Sequence, residues 1–264
     1  MIHSNSNILL VIYFAYTKQA KHINWYREVY SSFDIVFYAE DDNIVDKNEY
    51  DDNINWINLS IKNNYEKNND WFMHKCLLDC IPKHNYTGYV FMADDVLFRY
   101  WKFNNLSIDK FWITRPYRPL PLNYILSNPG LSRSIGRIPR SNLKNFLDNS
   151  SKEYRNNIKS HFKDETTFIQ LVNNDFVYIP GQFASEWYKC CLEMDKHDLQ
   201  FVTCIFNSVF GSCKPKDITY ITGDYSYRIN KNNHINHPVK FSKEKHRIIF
   251  ENEIKKNEKD ICNT

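Results

Sequence analysis

The chain has 264 residues, 42% hydrophobic and 16% aromatic, with a formal net charge of +3 and a pI near 8.3. That length and composition fit one large globular domain, or two small ones, with a sizeable core, and exclude a disordered chain. The charge is too mild to argue for a nucleic-acid partner. With six glycines and no G-x-G-x-x-G or G-x-x-x-x-G-K pattern, Gly-rich phosphate loops are excluded as well.

Residues 8–15, "ILLVIYFA", read as a buried strand, too short to span a bilayer and without the basic flank and cleavage site of a signal peptide. Residues 18–31 carry Ile23, Tyr26, Val29 and Tyr30 at helical spacing. "DIVFYA" (34–39) is a second continuous apolar strand, and "INWINL" (54–59) alternates as a third. A helix over 65–80 follows, with Trp71, Phe72, Cys76, Leu77 and Cys80 toward the core, and Pro82 stops it. "GYVFMA" (88–93) is the fourth strand.

Beyond Phe111 the pattern is less regular. "FWITRP" (111–116) predicts a strand. The stretch 117–140, rich in Pro and Arg, reads as a long functional loop. Short helices are expected over 140–147 and 152–159, a strand over 175–180, and helices over 182–194 and 199–210. The charged residues after Lys243 predict a peripheral helix.

Near-continuous apolar strands alternating with helices predict an α/β fold: one domain with a mixed, mostly parallel sheet and helices on both faces. No linker is visible. Residues 1–100 would form a binding half, 101–242 an acceptor-binding half and 243–264 a tail. In such sheets ligands bind beyond the carboxyl ends of the strands. Tyr16 and Thr17 follow strand one, Glu40, Asp41 and Asp42 follow strand two, and Asp94 and Asp95 follow strand four.

Adjacent carboxylates flanked by apolar residues need a partner. A solvated turn is the bland reading. A hard divalent cation, Mn²⁺ or Mg²⁺, is the functional one, because such ions take oxygen ligands and bridge to phosphates. The segment strand–Ala93–Asp94–Asp95 resembles the D-x-D motif, in its x-D-D variant, of GT-A glycosyltransferases. "NHPVKFS" (236–242) is similar to the C-terminal His segment of that family.

The resemblance implies a GT-A-like domain over roughly residues 7–242. It would be a metal-dependent enzyme moving a sugar from a nucleoside-diphosphate sugar, first of all a UDP-sugar, to a hydroxyl of a glycan or protein acceptor. It further implies metal binding by Asp94, Asp95 and His237, with Asp94 also near the donor ribose and Lys240 on the diphosphate. His234 is the rival ligand. Tyr16, Thr17, Glu40 and Arg115 are candidate donor contacts, with Arg118 an alternative to Arg115. Arg133, Arg137 and Arg140 belong to the same basic region.

An inverting reaction needs a carboxylate base. Glu193, Asp195 and Asp198 are candidates, with Asp198 equally a helix cap; Asp164 and Glu165 are further options. Trp187 is a possible acceptor platform.

A nucleotidyltransferase on a related sheet, or a non-catalytic binding domain, remains the alternative. The first would present a Gly-rich loop where "YTKQAKH" stands. Seven cysteines without a C-x-x-C pair predict reduced thiols rather than a zinc site or a disulfide framework. Heavy use of Asn, Lys, Ile and Tyr points to an AT-rich genome. The expected setting is soluble and cytoplasmic, in the host cytoplasm for a viral protein, or the Golgi lumen should an anchor be missing.

Overall fold

The computed structural model describes residues 7–14, 20–39, 54–56, 71–115, 118–128, 140–170, 175–197, 199, 203–224 and 229–262. Its centre is a seven-stranded sheet. β1 (Ile8–Phe14) pairs in parallel with β2 (Asp34–Ala39) on one side and β4 (Gly88–Ala93) on the other, and β3 (Ile54–Trp56) extends the sheet beyond β2. The chain's second half completes the same sheet. β9 (Phe176–Pro180) runs antiparallel to both β4 and β6 (Phe111–Thr114), and β10 (Ile218–Ile221) adds in parallel to β6. The order is β10-β6-β9-β4-β1-β2-β3. Because the two halves of the chain share one sheet, the fold is a single α/β domain.

The pleat explains why β1 is apolar at every position. Leu9, Val11 and Tyr13 enter one core, with Tyr89, Phe91, Val177 and Ile179 beside them. Ile8, Leu10, Ile12 and Phe14 enter the other, with Val90, Met92, Phe176 and Tyr178. Helices cover both faces. α2 (Trp71–Cys80) and α6 (Gly181–Lys196) place Cys76, Leu77 and Trp187 on the first face. α1 (Ile23–Val29) places Ile23 and Tyr26 on the second.

Helices α4 (Arg140–Asn149), α5 (Lys152–Phe162) and α7 (Thr203–Ser212) pack with α6 on the first face. α5 begins at an N-cap, where Ser151 Oγ accepts the Tyr154 N–H at 3.0 Å. α8 (Glu244–Cys262) is charged but not merely peripheral. Phe250 is fully buried against Trp25, Tyr30, Trp101 and Phe241, so the helix closes the second core.

The long-loop expectation for 117–140 needs correction. β7 (Arg118–Pro121) pairs antiparallel with β8 (Thr167–Gln170), a strand the sequence reading missed, and α3 (Leu122–Ser127) follows directly. Leu120, Leu122 and Ile125 carry this segment into the core. Among the described residues no helix is long and apolar enough to cross a membrane.

Candidate active site

Because β6, β10, β4, β1 and β2 all run the same way, their carboxyl ends share one edge. Asp94 and Asp95 turn off the end of β4 on that edge. The Asp94 N–H donates to the Tyr13 carbonyl at 2.9 Å, and its own carbonyl accepts the Tyr26 hydroxyl. Both aspartates are buried, Asp94 completely.

A second, three-stranded sheet delivers the partners. β5 (Leu97–Phe98) immediately follows the aspartates. β12 (Ile235–Asn236) pairs antiparallel with it, Asn236 opposite Leu97, and β11 (Gly223–Asp224) flanks β12. That register places His237 beside Asp95. The Val239 N–H donates to the Asp95 carbonyl at 2.6 Å and the His237 N–H to the Asp224 carbonyl at 2.8 Å.

The side chains form a line of alternating charge. Lys240 Nζ lies 2.9 Å from Asp95 Oδ2, and His237 Nε2 lies 2.9 Å from Asp95 Oδ1. His237 Nδ1 lies 3.2 Å from Asp175 Oδ2, on the residue just before β9. Burial pushes the Asp95 carboxyl pKa up, but the hydrogen bonds and charges of His237 and Lys240 outweigh it and hold it below the ordinary value. Burial pushes His237 down, yet the Asp95 hydrogen bond and the Asp175 and Asp95 charges raise it overall.

Do these residues fit a divalent cation? Among the described residues no three His, Cys, Asp or Glu side chains stand ready as a cation cage. Two donors are nonetheless at ligand spacing. Two ligand atoms about 2.1 Å from one ion at a right angle lie roughly 3.0 Å apart, and Asp95 Oδ1 and His237 Nε2 lie 2.9 Å apart. Asp175 stands behind the ring on Nδ1, the position from which a carboxylate fixes the tautomer and orientation of a ligating histidine. Carboxylate oxygen with imidazole nitrogen suits Mn²⁺. The donor set therefore fits, provided His237 gives up its Nε2 proton and Asp95 exchanges its basic partners for the ion.

Of the predicted site residues, Asp94, Asp95, His237 and Lys240 come together. His234 does not join them; its Nδ1 lies 2.8 Å from Thr222 Oγ1. Arg115 is exposed at the end of β6, with its guanidinium 5.8 Å from the centre of the Tyr220 ring.

Glu193 is ion-paired with Lys196 at 2.8 Å and lines a separate cavity of about 380 Å³ among α4, α5, α6 and α7. Asp195 pairs with Lys75 at 3.1 Å, tying α6 to α2. Asp164 Oδ1 caps its own turn by accepting the Thr166 N–H at 2.7 Å. Trp187 is fully buried, which removes it as an acceptor platform. Tyr16, Thr17, Glu40, Asp41, Asp42, Arg133, Arg137 and Asp198 lie outside the described residues, and of Arg118 and Arg140 the backbone alone is described.

Two residues of this region escaped sequence reasoning. Asp175 is the acid at the start of an apolar strand, the mirror image of Asp94 at the end of one. Arg99 is a lone charge inside "VLFRYW". It is fully buried, and its Nη1 donates to Asn236 Oδ1 at 2.6 Å, one residue before His237. Nε and Nη2 bond the Glu253 carboxylate at 2.6 and 3.3 Å.

No protein-family model matches the chain, and no curated protein matches it.

Proposed function

We propose that the chain is a metal-dependent glycosyltransferase. It would transfer a sugar from a nucleoside-diphosphate sugar, a UDP-sugar first among them, to a hydroxyl of a glycan or protein acceptor. One observation carries this reading: the Asp94–Asp95 pair at the carboxyl edge of a mostly parallel sheet meets His237 and Lys240 from a segment some 140 positions away. Ligands of such sheets bind at that edge.

Asp95 and His237 would hold Mn²⁺ or Mg²⁺, with Asp94 beside them. When bound, the ion would supply Lewis-acid charge where the leaving diphosphate develops negative charge. Asp175 orients the imidazole through Nδ1. Lys240 ends in an ammonium on a flexible stem and would contact the diphosphate. The buried backbone bonds of Asp94 and Asp95 fix the turn from which both carboxyl groups project, so the backbone of the edge is already set and the change on binding is confined to the side-chain partners of Asp95 and His237.

The test is calorimetric titration of UDP in the presence of Mn²⁺ and again with a chelator. Binding that requires the metal is expected, and is to be lost in Asp95→Asn. Equal affinity with and without the chelator would remove the metal from the reading. A thermal-shift panel of nucleotide sugars would then identify the donor, since a ligand that binds the folded state alone raises its stability by mass action.

A further inference from the structure

A second cavity, of about 680 Å³, opens between the segment after β5, the residues that precede β12, and α8. That size is in the range of small-molecule sites. Arg99 and Glu253 form part of its wall, and each neutralises the other through two hydrogen bonds. Among the described residues, the remaining charged groups of the lining are Lys102, Lys231 and Lys256. Apolar surface sits among them, from Trp101, Ile229 and Ile249, of which Ile249 is 38% exposed.

Among the described lining residues, three ammonium groups surround an apolar surface and the Glu253 carboxylate is already taken by Arg99, which leaves an excess of positive charge. Burial first, and then the neighbouring Arg99 charge, lower the Lys102 pKa, with the Glu253 carboxylate opposing them. The Lys102 ammonium donates to the Lys231 carbonyl, which brings two of the basic positions side by side. No donor or acceptor of this cavity belongs to the Asp95–His237 line.

We propose that this cavity is a binding site for a phosphate-bearing anion, separate from the candidate donor site and independent of divalent metal. Lys102, Lys231 and Lys256 would bind the phosphate oxygens by charge-assisted hydrogen bonds. Trp101, Ile229 and Ile249 would cover the apolar body that carries the phosphate. A soluble phosphate compound and a phospholipid headgroup share that chemistry, and the experiment separates them.

The full chain is titrated with inorganic pyrophosphate in the presence of a chelator, which silences metal-dependent binding at Asp94 and Asp95. In a parallel arm it is sedimented with phosphatidylcholine vesicles, with and without phosphatidic acid. Each arm is repeated on the triple variant Lys102→Gln, Lys231→Gln, Lys256→Gln and on Asp95→Asn.

The expected result is saturable binding in one arm, weakened about tenfold or more in the triple variant and unchanged in Asp95→Asn; the arm that responds names the source of the phosphate. Far-UV circular dichroism and a melting curve check that the triple variant is folded, and the single Lys256→Gln variant, on the exposed side of α8, serves if it is not. Absence of saturable binding in both arms overturns the proposal. So does equal binding by wild-type and lysine variants, or loss of binding in Asp95→Asn, which would place the anion at the other site. Because all of this is read with the metal chelated, failure here leaves the metal-dependent UDP titration to stand or fall separately.

Discussion

Arg99→Met is the substitution that tests the architecture behind the site. Methionine keeps the unbranched stem out to the position of Nε and removes the charged guanidinium end. Arg99 and Glu253 have side chains 1% and 13% exposed, so the change strands a carboxylate in a low-dielectric wall and leaves Asn236 Oδ1 and the Asn233 carbonyl without their donor. Breaking a buried ion pair from one side costs about 3–5 kcal/mol, because the remaining charge goes uncompensated. An unfolding entropy of about 2.1 cal/mol/K per residue over 264 residues makes each kcal/mol worth about 1.8 °C in Tm.

The variant should therefore melt about 5–9 °C below wild type by differential scanning calorimetry. Arg99→Met with Glu253→Leu should recover most of that loss, since an apolar pair of similar volume replaces the ionic one without leaving a stranded charge. A single variant melting within a degree of wild type would refute the reasoning. So would a double variant no more stable than the single, because the cost could not then come from the orphaned glutamate.

Three further outcomes are expected. Asp175→Asn should raise the Mn²⁺ concentration for half-maximal UDP binding about 10- to 100-fold, the usual cost of losing the carboxylate behind a ligating histidine; an unchanged Mn²⁺ curve would show that Asp175 has no part in orienting His237. Lys240→Ala should instead weaken UDP binding while the Mn²⁺ requirement stays level or falls, because Asp95 Oδ2 loses a competing cation; a raised Mn²⁺ requirement would show that Lys240 supports the metal site rather than the diphosphate.

The third outcome concerns pH. Burial holds His22, His161, His234 and His246 below the ordinary histidine value of 6.5. Such groups give stability that is whole above about pH 6.5 and drains as pH falls toward their folded pKa. His237 is raised and has the opposite sign, its contribution being lost as pH rises. With four groups against one, Tm measured in chelator should fall between about pH 7 and 5. His161→Gln, which keeps a donor for the Cys213 carbonyl, should shallow that fall, and an identical pH slope in the variant would exclude His161.

What could be read from the sequence follows from how completely each element is buried. β1 and β4 are covered on both faces nearly end to end and β2 over its last three residues, so apolar runs mark all three, and the expected bounds of β2 and β4 match the observed strands residue for residue. β7 could not be read this way. Its sequence is "RPLP", and proline removes a ladder donor, which argues against a strand. It survives because, among the described residues, β7 pairs on one side alone, with β8, and because Leu120 still anchors it.

The site was half legible for a related reason. Asp94, Asp95, His237 and Lys240 sit in short segments with a recognisable residue order. Asp175 and Arg99 have no such order around them. Their roles arise from strand pairings, β9 against β4 and β12 against β5, that join distant parts of the chain. An isolated charge next to or inside an apolar run was the one available hint, for both residues.

The pairing of β5 with β12 has a consequence for biosynthesis. Leu97 and Phe98 are made well before Ile235 and Asn236, which follow about 140 positions later. Once residues up to Ile221 have been added, all seven strands of the central sheet exist, while the two carboxyl groups at the end of β4 have neither the imidazole nor the ammonium that later meets them. Non-local pairings of this kind form slowly. A chain that stops short of His237 would thus lack Val239, Phe241 and Phe250 from the second core and the Glu253 partner of buried Arg99, besides leaving the acidic edge unbalanced. The imidazole and the ammonium arrive together with the residues that finish the second core, so a chain ended before His237 should show neither native packing around Trp25 nor metal-dependent UDP binding.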